Sequence, residues 1–364
     1  MSVVGQKLVA VGDVSFGDHY ACASIGVNSM LRRNPNTDLF SNVCDFVSSG
    51  DLAFVNLETV LSDIGLDRKC LRSMHMRGRP DDVHQLVKAG FNVVNVANNH
   101  MLQHGAAAFE ETVELLRDNG LGVVGLAKEN GLNCVPYATK LGETDVIFLG
   151  YGFEKDIYFK GTTLYAQGAE ANILEDIRAC KTKDNVVICS FHWGREFISY
   201  PNIEQVSLGR KVIDHGCDLV LGHHSHVLNG FESWNDQLIF YSLGNFVFDQ
   251  LWNPPCTEGC IVKLEFSNQR FRVADLRLTH IDEDYIPVMV AGSAEVAERF
   301  DELASELKST INDGGASYEK QFAILNRLNR HASWKYMFRN LFRYDRRILG
   351  QLVSDTLLKK LRLR

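Results

Sequence analysis

The chain has 364 residues, 45% of them hydrophobic and 23% charged, which excludes a disordered chain and allows a sizeable core in one large domain, with or without an appendage. Its formal net charge of −7 is unevenly spread. Lys320 to Arg364 holds 12 Lys/Arg and 2 acidic residues, a net +10, whereas residues 1–319 hold 26 basic and 43 acidic residues, a net −17.

In chain order, "KLVAVGD" (Lys7–Asp13), "LAFVNLE" (Leu52–Glu58), "NVVNVANNH" (Asn92–His100), "DVIFLGYG" (Asp145–Gly152), "NVVICSFHWG" (Asn185–Gly194) and "DLVLGHHSH" (Asp218–His226) read as strands buried on both faces. Between them, "RPDDVHQLVKAG" and "AAAFEETVELLRDNG" read as helices that stop at a glycine. That alternation belongs to an α/β domain. "QLIFYSLGNFVFD" and "CIVKLEFSNQRFRVADLRLTHI" read as antiparallel strands, with "SNQ" as a hairpin turn. From about Ser293 the pattern turns helical, "NDGGAS" breaks it, and basic helices follow. There is no internal repeat and no low-complexity tract.

The apolar run before Asp13 is too short for a secretory signal, and no stretch approaches a membrane span. Nine scattered cysteines without a CxxC read as reduced, mostly buried thiols. Both observations lead to the expectation of a cytoplasmic protein. The basic tail interleaves its charges with Phe, Trp, Tyr and Leu. On one helix, "YMFRNLFRYDRRIL" would set Phe338, Leu341, Phe342 and Ile348 near one side with arginines beside them. This has the make-up of an interfacial helix in peripheral contact with a membrane, or of a helix whose apolar side docks on the acidic body. Nucleic acid is not an expected partner.

The chemistry stands where the apolar runs end: Asp13, Glu58, Asn99 and His100, His192, then His223, His224 and His226. In open α/β sheets, ligands bind outside the carboxyl ends of strands, so these groups can converge on one crevice. Each has a plain explanation alone: a turn or cap residue at Asp13 and Asn99, a solvated carboxylate at Glu58, a packed ring at His192 beside Trp193. Their number argues for convergence. His-x-His at His224 and His226 puts two rings on one side of an extended segment. Carboxylate, amide oxygen and imidazole without thiolate suit Mn, Fe or Zn. Glu196, Trp193, Tyr200 and Asn245 lie close by in sequence and are candidates to orient His192, stack on substrate, pack or turn. Arg77 and Arg79 are either anion-binding or solvated.

The order and spacing of these groups resemble the binuclear metallophosphoesterase (calcineurin-like) superfamily and, more closely, the capsule-synthesis CapA family, also called the poly-γ-glutamate synthesis family. The resemblance rests on "VGDVSFGD", "VNLETVLS", "NVVNVANNHMLQHG", "SFHWGREFISYP", "VIDHGCDLVLGHHSHVLNGFE" and "IFYSLGNFVFD", roughly residues 8 to 250. It implies a metallophosphatase-like sandwich of two mixed β-sheets flanked by helices over residues 1–290, with a helical, basic extension over 291–364. It also implies two divalent ions. Asp13 would ligate the first and Glu58 would bridge both. Asn99 and His192 would hold the second, and His224 and His226 would take one ion each. His100 would stand over the substrate as the catalytic acid. Two departures accompany the match: Ser15 replaces a frequent superfamily histidine, and Gln103 replaces a usual aspartate. The function implied is hydrolysis of phosphoester bonds in a phosphorylated or anionic polymer or small molecule, in synthesis of a capsule or other surface polymer. The alternative is a weakly catalytic or non-catalytic polymer-binding subunit of the same machinery.

Overall fold

The apolar runs become the central strands of two mixed sheets in a computed structural model that describes residues 5–154 and 159–362. Strands in chain order are β1 (Gln6–Val14), β2 (Leu52–Leu57), β3 (Val60–Leu61), β4 (Arg77–Gly78), β5 (Val93–Asn95), β6 (Gly122–Val124), β7 (Tyr137–Leu141) and β8 (Thr144–Gly152). There follow β9 (Asn185–His192), β10 (Leu219–His223), β11 (Phe231–Trp234), β12 (Gln237–Phe240), β13 (Asn245–Val247), β14 (Glu258–Ser267), β15 (Arg270–Ile281) and β16 (Pro287–Met289). The first sheet runs β16-β15-β14-β1-β2-β5-β6 with β13 also on β1, the second runs β11-β12-β10-β9-β8-β7, and β3 pairs β4 in a small ribbon.

Side-chain alternation explains why the runs are apolar throughout. Along β1, Leu8 and Ala10 face the second sheet, while Val9 and Val11 face the helices outside. Along β9, Val186 and Ile188 face the first sheet, and Val187, Cys189 and Phe191 face the outer helices Glu170–Cys180 and Ile203–Asp214. Phe54 and Phe148 stack across the middle with ring centroids 5.9 Å apart. The expected sandwich of two mixed sheets flanked by helices is the observed architecture.

β1, β2, β5 and β6 are mutually parallel, as are β8, β9, β10 and β12, so their carboxyl ends share one edge in each sheet. One expectation is overturned here. "QLIFYSLGNFVFD" is not a run of antiparallel strands: β12 pairs antiparallel with β11 but parallel with β10, and β13 leaves that sheet to pair parallel with β1. The crossing requires glycine. A Cβ on Gly12 would lie 1.9 Å from the Gly244 carbonyl oxygen, which accepts the Asp13 N–H at 2.9 Å. The β14–β15 hairpin turns at Asn268 and Gln269, both left-handed, as "SNQ" suggests. All nine cysteines are free.

The C-terminal region is helical: Ser293–Asp313, Tyr318–Arg339 and Arg346–Arg362, with a short 3-10 turn at Leu341–Arg343. Leu303 and Leu307 of the first helix are buried in the cores. Left-handed Gly314 and Gly315 break the chain before the second helix. The apolar segment around Phe338 is not one helix. The second helix ends at Asn340, and Asp345 caps a new one through the Arg347 and Ile348 amides. Ile348 is therefore buried with Tyr344 and Leu352 against Ala21, Ile25 and Leu71, while Phe338 and Phe342 are 64% and 102% exposed. Among the described residues no helix is long and apolar enough to cross a membrane.

Candidate metal centre

Strand register lines up the polar groups. Asn95 on β5, Asn56 on β2, Asp13 on β1 and Asn245 on β13 are successive partners across the first sheet, and His192 on β9 pairs with His223 on β10 in the second. Amides lock the row: Asn95 Nδ2 donates to Asn56 Oδ1 at 2.7 Å, and Asn56 Nδ2 donates to Asp13 Oδ1 at 2.8 Å. The His224 backbone N–H donates to Asp13 Oδ2 at 3.1 Å. Glu58 lies one residue past β2, anchored by its N–H to the Val14 carbonyl. Asn98 fixes the loop after β5, donating to Leu57 O at 2.8 Å and accepting from the His100 N–H at 3.2 Å.

Two groups of ligand atoms result. His192 Nε2 lies 2.8 Å from Asn99 Oδ1, 2.9 Å from His224 Nδ1 and 3.5 Å from Glu58 Oε1. His226 lies 3.7 Å from Glu58 Oε1 through Nε2 and 3.8 Å from Asp13 Oδ2 through Nδ1. Glu58, His192 and His224 offer ligand atoms within 4.8 Å of one another, and so do Asp13, Glu58 and His226. Glu58 is common to both. The structure thus brings together all six residues expected as ligands, with His100 Nε2 at 3.8 Å from Glu58 Oε1.

The path to this geometry differs from the expected extended His-x-His segment. β10 ends at His223, and His224 and His226 take left-handed φ values of 92° and 58°. Non-glycine residues adopt such angles at a cost, in tight turns and at functional sites. The rings converge from a turn, with centroids 6.1 Å apart.

The donor set fits divalent ions. Both Glu58 oxygens are buried with no hydrogen-bond partner among the described residues. Burial, then Asp13 and Glu196, push the Glu58 carboxyl well above its ordinary range. Burial and neighbouring imidazoles hold His192 well below its usual value, and burial with His226 takes His224 to about 3. These rings are neutral at pH 7 and keep lone pairs for a metal. Burial alone would raise Asp13, but His223, His226 and Asn56 outweigh it and keep the carboxyl low. Carboxylates and neutral imidazoles buried together could hold a divalent ion.

Several residues that the sequence picks out take roles here that it does not specify. His223 sits 3.2 Å from Asp13 Oδ1 with its ring against Phe54, beside the cage and outside both ligand groups. Asn245 is an orienting group: its Nδ2 donates to Cys256 O at 2.9 Å, turning Oδ1 toward His226 Nδ1 at 3.0 Å. Gln103 Oε1 holds His100 Nδ1 at 2.9 Å, and its Nε2 donates to His75 O at 3.1 Å. Ser15 points away from the cage, accepting from the Gly17 N–H at 3.2 Å. The other candidates resolve simply. Trp193 is buried and stacks on Tyr241, and Tyr200 packs edge-on to Tyr318. Glu196 is half-buried, raised by burial against the pull of His226. Arg77 is buried rather than solvated, donating to Ser62 O and Ile64 O, and Arg79 pairs with Asp82.

Comparison with known proteins agrees with the motifs. The family described as bacterial capsule synthesis protein PGA_cap matches residues 7–250. The chain is 31% identical over 257 residues to the capsule biosynthesis protein CapA of Bacillus anthracis, covering 67% of this chain and 60% of that protein. It is 30% identical over 252 residues to the PGA biosynthesis protein CapA of Bacillus subtilis, covering 66% and 63%. The chain therefore spans about three fifths of the length of these relatives. Among solved structures, the calcineurin-like phosphoesterase YfkN from Bacillus subtilis superposes with a TM-score of 0.40 at 14% identity, over 83% of this chain and 97% of that one. With the matched region running from β1 to just past β13 and enclosing every group of the cage, the chain belongs to the bacterial capsule synthesis protein family PGA_cap.

Proposed function

We propose that the protein is a metal-dependent hydrolase of phosphoester bonds, acting on a phosphorylated or anionic polymer or small molecule in the synthesis of a capsule or other surface polymer. The observation that carries this reading is Glu58, a buried carboxylate shared by two ligand groups with neither oxygen otherwise satisfied. Asp13 and His226 with Glu58 would hold one ion, and His192, His224 and Asn99 with Glu58 the other. Divalent ions there, of Mn, Fe or Zn, would polarise a phosphoryl oxygen and make water nucleophilic near neutral pH. The chain itself does the positioning. Asn56 and the His224 amide orient Asp13, Asn245 aims His226, and Gln103 fixes the His100 ring beside Glu58. His100, half-buried at the cage with burial lowering it to about 4, would deliver a proton to the leaving alkoxide only after taking one up at Nε2, as a bound anionic phosphoryl group would favour.

A second reading, a polymer-binding subunit with little catalysis, is favoured by Ser15, whose hydroxyl serves the local loop instead of the cage. Turnover of a chromogenic phosphodiester by full-length protein, with and without added Mn²⁺, separates the two. Metal-stimulated turnover that His100→Asn removes supports the hydrolase. Bound metal with no turnover supports the subunit. As to partners, the exposed Phe338 and Phe342, flanked by Arg339 and Arg343, would meet an anionic membrane surface, while Ile348 and Leu352 keep the tail on the body.

A further inference from the structure

A second cleft, of about 260 Å³, lies where the last helix docks on the body, away from the histidine cage. Its walls carry five cationic side chains: Arg32, Arg68, Lys69 and Arg77 from the body and Arg347 from the tail. Only two acidic residues line it, and both are committed. Asp18 is buried and accepts from the Ser24 and Ser29 amides and the Ser29 hydroxyl, while Asp345 Oδ1 caps the last helix. Arg68 has one exposed partner, Asp63, at 3.8 Å. Lys69 and Arg347 form no ion pair with the described residues.

Orphaned donors give the second observation. Asn28 and Arg77, 7% and 5% exposed, both line the cleft. Asn28 Nδ2 and Arg77 Nε are buried with no hydrogen-bond partner among the described residues. The Asn28 amide cannot offer its oxygen instead, because Arg32 Nε already donates to Oδ1 at 2.6 Å. A buried unpaired donor costs the full desolvation of that group, so these two donors leave the lining short of acceptors. Burial and the nearby Arg68 and Arg79 also pull the Arg32 guanidinium down, the mark of crowded positive charge.

We propose that this cleft binds a small multivalent oxyanion, carried by phosphate groups or by clustered carboxylates. Guanidinium forks match either group, and the volume is below the 300–1,000 Å³ typical of drug-sized ligands, so a compact anion fits. The tail contributes Asp345, Arg347 and Ile348 to the lining. Gln351 clips the last helix to the loop beneath it, accepting from the Leu71 N–H at 2.9 Å and donating to Lys69 O at 2.5 Å, and Arg347 supplies one wall. Bound anion would therefore tie tail to body.

Calorimetric titration of full-length protein with pyrophosphate, and separately with citrate, tests the proposal. Saturable binding is expected, with pyrophosphate or citrate the tighter according to whether phosphate or carboxylate is the natural group. Lys69→Glu should weaken it about tenfold or more, and Lys69→Glu with Arg347→Glu about a hundredfold. Both residues are exposed, so the ligand-free melting temperature should stay unchanged. Asn28→Asp, which places an acceptor where the orphaned donor stands, should weaken binding as strongly, and Lys69→Arg should retain it. Absence of saturable binding of either probe, or an affinity unchanged in the double variant, overturns the proposal. Anion held at the metal cage alone would show that second pattern.

Discussion

The buried histidine cage and the partly open tail cleft are both polar, but with opposite sign. At the centre of the cage the two Glu58 oxygens are unpaired acceptors, with the His223 ring unpaired beside them; in the cleft the unpaired atoms are donors, Asn28 Nδ2 and Arg77 Nε. The cage is ringed by imidazoles, of which burial keeps His192 and His224 neutral, and the cleft by four guanidinium groups and one ammonium. A protein tolerates a few unsatisfied buried groups, and the chemical type of the orphan indicates what is missing. Acceptors without donors would suit a cation, whereas donors without acceptors would suit an anion.

The comparison can be broken hardest at the cage. Asp13→Asn and His226→Ala should each lose most bound metal by elemental analysis, and phosphodiester turnover with it; retention of both by either variant would remove the cage from the chemistry. His100→Asn should keep its metal yet lower kcat by roughly a hundredfold or more, since proton delivery is typically worth about 10² to 10⁴ in rate. Next comes the orienting amide. Asn245→Ala should weaken metal affinity by about 10- to 100-fold in a competition titration, with Asn245→Asp recovering part of it. The comparison is sharpened by crossing the sites: Asp13→Asn should leave pyrophosphate affinity at the cleft within about twofold, because the two anchor different charges. The smallest effect belongs to the tail's outer side. Arg339→Glu and Arg343→Glu should each weaken co-sedimentation with anionic liposomes, at about 1 kcal/mol per basic residue. Equal sedimentation of wild type and the double variant would show that this side meets no lipid.

The strands that build the cage were legible because burial on both faces leaves uninterrupted apolar runs, and the candidate ligands because they sit where those runs stop. Less legible were the groups whose meaning depends on register. Asn56 and Asn95 are single polar residues inside apolar strands; only the pairing of β5, β2 and β1 turns them into a relay onto Asp13. Asn245 reads as a turn residue until β13 crosses to lie beside β1. The left-handed turn at His224 and His226 hides behind a motif that also suits an extended strand. In the tail, helical periodicity continued through Asn340, but Asp345 offers a better start for a new helix than an interior position, and the apolar residues part company there. The cleft leaves no motif, because its cations come from three separated stretches.

The crossing of β13 to β1 also fixes when the cage can exist during synthesis. Asp13 leaves the ribosome long before Asn245, its register partner and the group that aims His226. A nascent chain long enough to expose every candidate ligand, but ending before β13, would carry the donors without the strand that closes them into one arrangement. Any metal loading would therefore come late. It would follow a contact between distant parts of the chain, the kind that forms slowly.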